Sequence, residues 1–124
     1  MRQIRTVPIV SKGESMSLPK LLPQKLKIGD TIGVVAPSSP IIGDNIDELN
    51  RAKEIVERSG FKVKYSKNLF SNTNGYSSTA KEKADDINSM FADKEVKMIW
   101  CAKGGNNSNS TFEYLDYELI KKNP

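Results

Sequence analysis

The sequence contains no histidine and one cysteine, Cys101. Without histidine, the chain alone can form neither a His-ligated metal site nor a complete Ser-His-Asp triad. A single cysteine excludes an internal disulfide and fits a reducing compartment. No apolar run approaches the roughly 20 residues that a membrane helix needs. With 37% hydrophobic and 27% charged residues, the composition is that of a globular protein, and we expect no metal site and no membrane association.

The net charge of +4 is concentrated at one end of the chain. Residues 1–27 contain six basic residues and one acidic residue, whereas the rest contains 13 basic and 14 acidic residues. The first part thus carries +5 and the remainder −1, so a basic nucleic-acid-binding face is not expected. We interpret residues 1–25 as an N-terminal arm or extension, with Met16 as an alternative start, and residues 26–124 as one α/β domain.

Strand and helix patterns alternate from residue 26 onward. Short apolar or alternating runs predict three strands, at Thr31–Ala36, Phe61–Tyr65 and Val96–Ala102. Apolar residues at helical spacing predict three helices, at Asp44–Ser59, after a Thr79–Glu82 capping box, and from about Asn109. Crossover connections of this length join parallel strands. The order β-α-β-α-β-α therefore predicts a parallel sheet flanked by helices.

Several single residues in this pattern carry local predictions. Asp44 is expected to cap the first helix, and Gly60 to follow its end in the left-handed conformation. The pair Asn74-Gly75 is typical of a turn. Cys101 lies inside an apolar strand, which predicts a buried, unreactive thiol. The adjacent pair Asp85-Asp86 is interpreted as a solvated helix face.

The turn after the third strand, Gly104-Gly105-Asn106-Asn107-Ser108, is the most informative motif. Functional groups of parallel sheets lie beyond the carboxyl ends of the strands. Glycine and asparagine permit unusual backbone conformations there. A serine at the strand-to-helix turn can present its hydroxyl as a nucleophile. The alternative is that Ser108 or Ser110 only caps a helix, because Ser110–Glu113 is itself a capping-box sequence.

Five motifs in this order resemble the LD-carboxypeptidases, serine peptidases that include the microcin C immunity-type enzymes. They are Leu26–Ser39, Gly75-Tyr76, Lys83–Asn88, Gly104–Asn109 and Leu115–Pro124. The resemblance covers residues 26–124 and implies a Rossmann- or flavodoxin-like N-terminal domain. Many members carry Gly-Tyr-Gly-Ser where this chain has Gly105-Asn106-Asn107-Ser108, which is closer to the microcin C immunity-type variant.

The resemblance implies a cytoplasmic hydrolase without a cofactor, acting on L,D-peptide bonds of murein peptides or on a related peptide-like amide. By motif match, Ser108 stands at the position of the nucleophile. The Glu and His partners of the family lie in a C-terminal domain that nothing here matches. We therefore expect this chain to be the N-terminal part of a longer enzyme, inactive alone and, as in the family, homodimeric.

Other residues of the two loops are candidates for binding. The backbone amides of Gly105 and Asn109 flank the Ser108 turn and are predicted to bind the oxyanion, with Gly104 beside them. Pro37 and Ser38 are predicted to contact substrate, although a rigid turn is an equal interpretation. Two other functions stay open. One is a non-catalytic α/β module that binds an anionic small molecule at Gly104-Gly105, and the other is an inactive fragment that serves only in folding or dimer formation.

Overall fold

A computed structural model describes residues 21–124, which form a three-stranded parallel sheet with flanking helices. The strands are β1 (Thr31–Val35), β2 (Lys62–Tyr65) and β3 (Val96–Cys101), in the order β2-β1-β3. The helices are α1 (Asp44–Arg58), α2 (Ala80–Ala92), a 3₁₀ helix (Ser108–Tyr114) and α3 (Tyr117–Lys122). The predicted α/β class is confirmed. The strand order is that of a flavodoxin-like rather than a Rossmann sheet.

Residues 1–20, which include Met16 and most of the predicted N-terminal arm, lie outside the described residues. The division at residue 25 therefore stays a prediction.

β1 is the central strand, and all five of its residues are buried. It pairs with β2 on one side and with β3 on the other, so that Val34 lies opposite both Tyr65 and Trp100. A parallel strand covered on both faces is a continuous apolar run in sequence. The predicted strand at Thr31–Ala36 is such an apolar run because both of its faces are covered.

α1 and α2 cover opposite faces of the sheet. Val34 belongs to a buried cluster against which Ile46 and Leu49 of α1 pack. A Cβ built on the neighbouring Gly33 would lie 2.6 Å from Met90 Sδ of α2. Since successive strand residues point to opposite faces, each helix covers its own side of β1. Because the helices cover the two faces, the loops that follow the strands lie at the carboxyl edge of the sheet.

α1 does not begin as predicted. Gly43 occupies the N-cap position with φ 56°, and no side chain makes a cap hydrogen bond there. Asp44 lies one residue later, in the first turn, where its charge favours the helix dipole. The prediction that Asp44 caps the helix was wrong, because the glycine turn shifts the helix start. At the other end Gly60 has φ 96°, as predicted.

α2 begins with the predicted capping box. The Glu82 amide donates to Thr79 Oγ1 at 3.2 Å, and the Thr79 amide donates to Glu82 Oε2 at 3.0 Å. Both partners lie within three residues of each other, so the sequence alone specifies this helix start.

The predicted last helix is two helices. After the 3₁₀ helix, Leu115 is extended, and Asp116 then caps α3 by accepting the Leu119 amide at 3.0 Å. The Asn88 side chain of α2 bridges the break, since it donates to the Tyr114 carbonyl and accepts the Asp116 amide, each at 2.9 Å. The prediction of a single helix was wrong, because the contact with Asn88 and the cap at Asp116 divide the segment into two helices.

Among residues 21–124, β3 pairs with β1 alone and is an edge strand. Met98 and Trp100 are 44% and 38% exposed, and Cys101 is also exposed. The prediction of a buried Cys101 was therefore wrong, because a strand's position in the sheet decides its burial. Partial desolvation still raises the pKa of the Cys101 thiol.

Candidate active site

Three loops meet at the carboxyl edge of the sheet, one after each strand. They comprise residues 36–43, 66–79 and 102–107. Ser77 of the second loop is fully buried and joins it to the first. Its amide donates to the Ser38 carbonyl at 3.0 Å, and its hydroxyl donates to the Ala36 carbonyl. The first two loops therefore form one support beneath the third.

Ser38 connects this support to the third loop. Its side chain is buried, and its Oγ accepts the Asn107 amide at 2.9 Å. Pro37 beside it is also buried. The hydrogen bond gives Ser38 a role in holding the turn before Ser108. The predicted contact of Pro37 and Ser38 with substrate stays a prediction.

Gly105 lies where the first and third loops approach most closely. A Cβ at this position would lie 2.6 Å from Ser39 Oγ and 2.8 Å from Ser38 Cβ, distances that real Cβ atoms do not show. A Cβ at Gly104 would meet nothing within 4 Å. Both glycines are exposed to solvent. Only Gly105 is required as glycine by its surroundings.

Ser108 is the first residue of the 3₁₀ helix and is exposed. Its hydroxyl makes no hydrogen bond to any residue in the range 21–124, whereas the hydroxyls of Ser38, Ser77 and Ser110 are all engaged. The strand-to-helix turn thus presents an exposed hydroxyl with no partner among residues 21–124 at the carboxyl edge of the sheet.

The helix-capping alternatives are wrong. Asn107 occupies the N-cap position of the 3₁₀ helix, with no side-chain cap hydrogen bond. Ser110 lies inside the helix, where its hydroxyl donates back to the Asn107 carbonyl at 2.7 Å. The sequence Ser110–Glu113 therefore forms no capping box, because the helix begins before it.

Asn109, the second residue of the 3₁₀ helix, is also exposed. The first amides of a helix lack partners within it and can bind an anion. The Asn107 amide is not available for this purpose, since it donates to Ser38. An oxyanion site formed by the Gly105 and Asn109 amides stays a prediction.

Lys83 of α2 is a further residue of this site, for which the sequence pattern predicts no role. It is 2% exposed, and its Nζ donates to Asn107 Oδ1 at 2.7 Å. The same Nζ lies 5.1 Å from the centroid of the Tyr76 ring. A signal existed in the sequence, because Lys83 falls on the apolar stripe of α2, four residues before Ile87 and seven before Met90.

Only half of the Asp85-Asp86 interpretation is correct. Asp85 is solvated and pairs with Lys81 at 3.1 Å. Asp86 is buried and accepts the Asn68 amide at 3.0 Å and the Asn68 side chain at 2.8 Å. It thereby attaches the second loop to α2. Adjacent helical residues face different directions, so one can be solvated while the other is buried.

Two hollows flank β3, and Ser108 lines neither. One of about 850 Å³ lies between the amino end of the sheet and the C-terminal residues. The other, of about 280 Å³, lies between α1 and the residues Trp100 and Ala102. Ser108 therefore lies apart from both of these hollows.

The family follows from comparison of the sequence with known proteins. A family model described as LD-carboxypeptidase N-terminal domain matches residues 32–124. The chain belongs to the LD-carboxypeptidase family. The Escherichia coli microcin C7 self-immunity protein MccF is 37% identical over 105 residues, which are 84% of this chain and 30% of that protein. A Bacillus subtilis protein named probable murein peptide carboxypeptidase is 38% identical over 103 residues, 82% of this chain and 31% of that protein.

Solved structures agree with this assignment to the LD-carboxypeptidases. The structure of wild-type MccF in the apo state matches 85% of this chain and 31% of its own, with a TM-score of 0.80 and 34% identity. An MccF-like protein from Bacillus anthracis matches 85% of this chain and 32% of its own, with a TM-score of 0.79 and 35% identity. The chain thus spans about a third of the length of these relatives, and the predicted family is confirmed.

None of the helices in residues 21–124 has the length and apolar character that crossing a membrane requires.

Proposed function

We propose that Ser108 is the nucleophile of a serine-type carboxypeptidase that hydrolyses L,D-peptide bonds of murein peptides or a related peptide-like amide. The observation that carries this proposal is the free, exposed hydroxyl of Ser108 at a turn whose neighbouring residues are held by hydrogen bonds. The names of two relatives, a murein peptide carboxypeptidase and a microcin C7 self-immunity protein, support both substrate classes.

The reaction would proceed by acyl transfer. A base takes the Ser108 proton while Oγ attacks the substrate carbonyl, and the resulting oxyanion is held by backbone amides, for which Gly105 and Asn109 are the candidates. Collapse of this intermediate expels the amine, which takes up the proton, and water then hydrolyses the acyl-enzyme. Pro37 and Ser38, in the loop after β1, would contact the substrate at the same carboxyl edge of the sheet.

A histidine base must come from outside these 124 residues, because the sequence has no histidine. We propose that a C-terminal region supplies a Glu and a His, as the family resemblance implies, since this chain spans about a third of the length of its relatives. That region would also enclose the carboxyl edge on which Ser108 lies. The complete enzyme is proposed to be cytoplasmic, homodimeric and free of cofactors.

Ser108→Ala in the longest reading frame that contains this chain tests the nucleophile. We expect kcat for the release of D-alanine from a murein tetrapeptide, or for cleavage of a microcin-type amide, to fall by several orders of magnitude. The Tm should change little, because the Ser108 hydroxyl has no partner within residues 21–124. Retention of most of the kcat would refute the assignment.

Asn109→Ala is the matched control, since it changes the next exposed residue and keeps the backbone amide. Its effect on kcat should be far smaller than that of Ser108→Ala. The 124-residue chain alone should release no D-alanine. Turnover by the chain alone would show that no further region is needed.

A further inference from the structure

Lys83 is a buried cation without a carboxylate partner in the described part of the chain. It is 2% exposed, and the ion pairs among residues 21–124 all involve other basic residues. Its Nζ is instead held by Asn107 Oδ1 at 2.7 Å and by the face of the Tyr76 ring. Burial accordingly lowers the pKa of Lys83.

Packing alone does not explain a lysine at this position. Removing an ammonium group from water is costly unless a counter-charge and several hydrogen bonds compensate. One amide oxygen and one aromatic ring are partial compensation. An apolar side chain of similar length would continue the stripe of Ile87 and Met90 without that cost. The feature that does depend on the ammonium group is the hydrogen bond to Asn107.

Asn107 is fixed on three sides. Its amide donates to Ser38 Oγ at 2.9 Å, its side-chain Oδ1 accepts from Lys83 at 2.7 Å, and its carbonyl accepts from the Ser110 hydroxyl at 2.7 Å. These partners come from the first loop, from α2 and from the 3₁₀ helix. Because Asn107 directly precedes Ser108, its conformation sets the direction in which the following residue leaves the turn.

We propose that Lys83 is a positioning residue for Ser108. Its ammonium group holds the Asn107 side chain, and through Asn107 it orients the turn that presents the Ser108 hydroxyl. Its contact with Tyr76 places the exposed tip of the second loop beside the same turn. This proposal rests on the proposed role of Ser108 as nucleophile.

The effect of Lys83 should appear in kcat and not in KM. Lys83 is buried and acts on a neighbour of the nucleophile, so its removal takes no side chain away from the exposed surface to which substrate would bind. A misplacement of about 1 Å at a reacting group costs on the order of 100-fold in rate. We therefore expect Lys83→Met to lower kcat by about 10- to 100-fold, with KM within about twofold.

Lys83→Arg and Lys81→Met complete the series. Arg can still donate to Asn107 Oδ1 and should restore part of the kcat lost in Lys83→Met. Lys81 lies on the same helix but is exposed and paired with Asp85, so Lys81→Met should leave kcat unchanged. Equal kcat in Lys83→Met and Lys81→Met, measured on folded enzyme, would overturn the proposal and leave Lys83 a purely structural residue.

A double-mutant cycle tests whether Lys83 acts through Asn107. Asn107→Ala should lower kcat about as much as Lys83→Met, and the double variant should lose little more than either single variant. Multiplied losses in the double variant would show that the two residues act independently and would overturn the proposal. If Lys83→Met does not fold, the kcat of Asn107→Ala is compared with that of Lys81→Met instead. An unchanged kcat in Asn107→Ala would overturn the proposal.

Amide hydrogen exchange separates this proposal from the proposed function. In Lys83→Met the amides of residues 105–111 should exchange faster while those of β1 stay protected, and Lys81→Met should change neither. Failure of the nucleophile would appear as an active Ser108→Ala enzyme, whatever the exchange result. Unchanged exchange at residues 105–111 in Lys83→Met would overturn the role of Lys83 even where Ser108 proves to be essential.

Discussion

Gly105→Ala is the substitution for which the structure gives the sharpest forecast. The added methyl group would lie 2.6 Å from Ser39 Oγ and 2.8 Å from Ser38 Cβ. A hydroxyl at the end of a side chain can rotate away, but the Cβ of Ser38 moves only with its backbone. The loop of residues 102–107 must therefore shift away from the loop of residues 36–43.

The cost has two parts. Forcing an extra methyl group into a packed contact costs about 1–3 kcal/mol. Separating the loops also breaks the hydrogen bond from the Asn107 amide to Ser38 Oγ, and a typical hydrogen bond contributes about 0.5–1.5 kcal/mol. The free energy of unfolding should thus fall by roughly 2–4 kcal/mol. For a domain near 100 residues, this corresponds to a fall in Tm of at least about 8 °C.

Thermal and urea unfolding of the chain, followed by circular dichroism, measures this difference. Gly104→Ala is the matched control, because its added methyl group meets nothing within 4 Å. That variant should stay within about 0.5 kcal/mol of the parent protein. Equal stabilities for the two variants would show that the close approach of the loops does not constrain Gly105, and the reasoning would be refuted.

Three further predictions concern the rest of the domain. Hydrogen bonds from Thr79 hold the pKa of Glu82 below its ordinary 4.5, so stability that is complete above this value should be lost as the pH falls through the lowered pKa. Urea midpoints at pH 7 and pH 3 should therefore differ less in Glu82→Gln. Because β3 is an edge strand among residues 21–124, with Met98 and Trp100 exposed, the 124-residue chain should self-associate at high concentration, and Met98→Lys should reduce this self-association in sedimentation velocity. A parent chain that stays monomeric would contradict this. Cys101 should react slowly with a disulfide reagent at neutral pH and faster as the pH rises, since partial desolvation raises the pKa of its thiol; a rate at pH 7 equal to that of free cysteine would contradict it.

The features predicted correctly from sequence depend on neighbouring residues. The capping box of Thr79 and Glu82 lies within four residues, and Asn74-Gly75 forms a turn in which both residues have positive φ, 52° and 82°. The apolar run of β1 is short and is followed by Pro37, which favours a buried strand over a helix. Such features need no knowledge of what packs against them.

The features predicted wrongly depend on distant contacts. Cys101 has an apolar sequence context but lies on an edge strand, and strand order is not encoded within the strand. The break after Tyr114 depends on the side chain of Asn88, 28 residues before Asp116. Asp86 is buried against Asn68, which lies 18 residues away, so its burial does not follow from the helix sequence alone. In each case the missing information is the identity of the tertiary neighbour.

The candidate site likewise combines one residue with a local sequence pattern and others that depend on distant contacts. Ser108 could be nominated from sequence, because the local pattern of a strand, two glycines and a serine coincides with the family resemblance, and its role as nucleophile stays a prediction. Its supports could not, since Lys83 is 24 residues and Ser38 69 residues from Asn107. Ser38 and Asn107 meet because parallel strands bring their following loops to one edge of the sheet, and Lys83 lies in the first turn of α2, which begins where the second loop ends. A lysine on the apolar stripe of α2 is nevertheless a readable clue, because a buried ammonium group is costly without an acceptor, and Asn107 Oδ1 accepts its hydrogen bond.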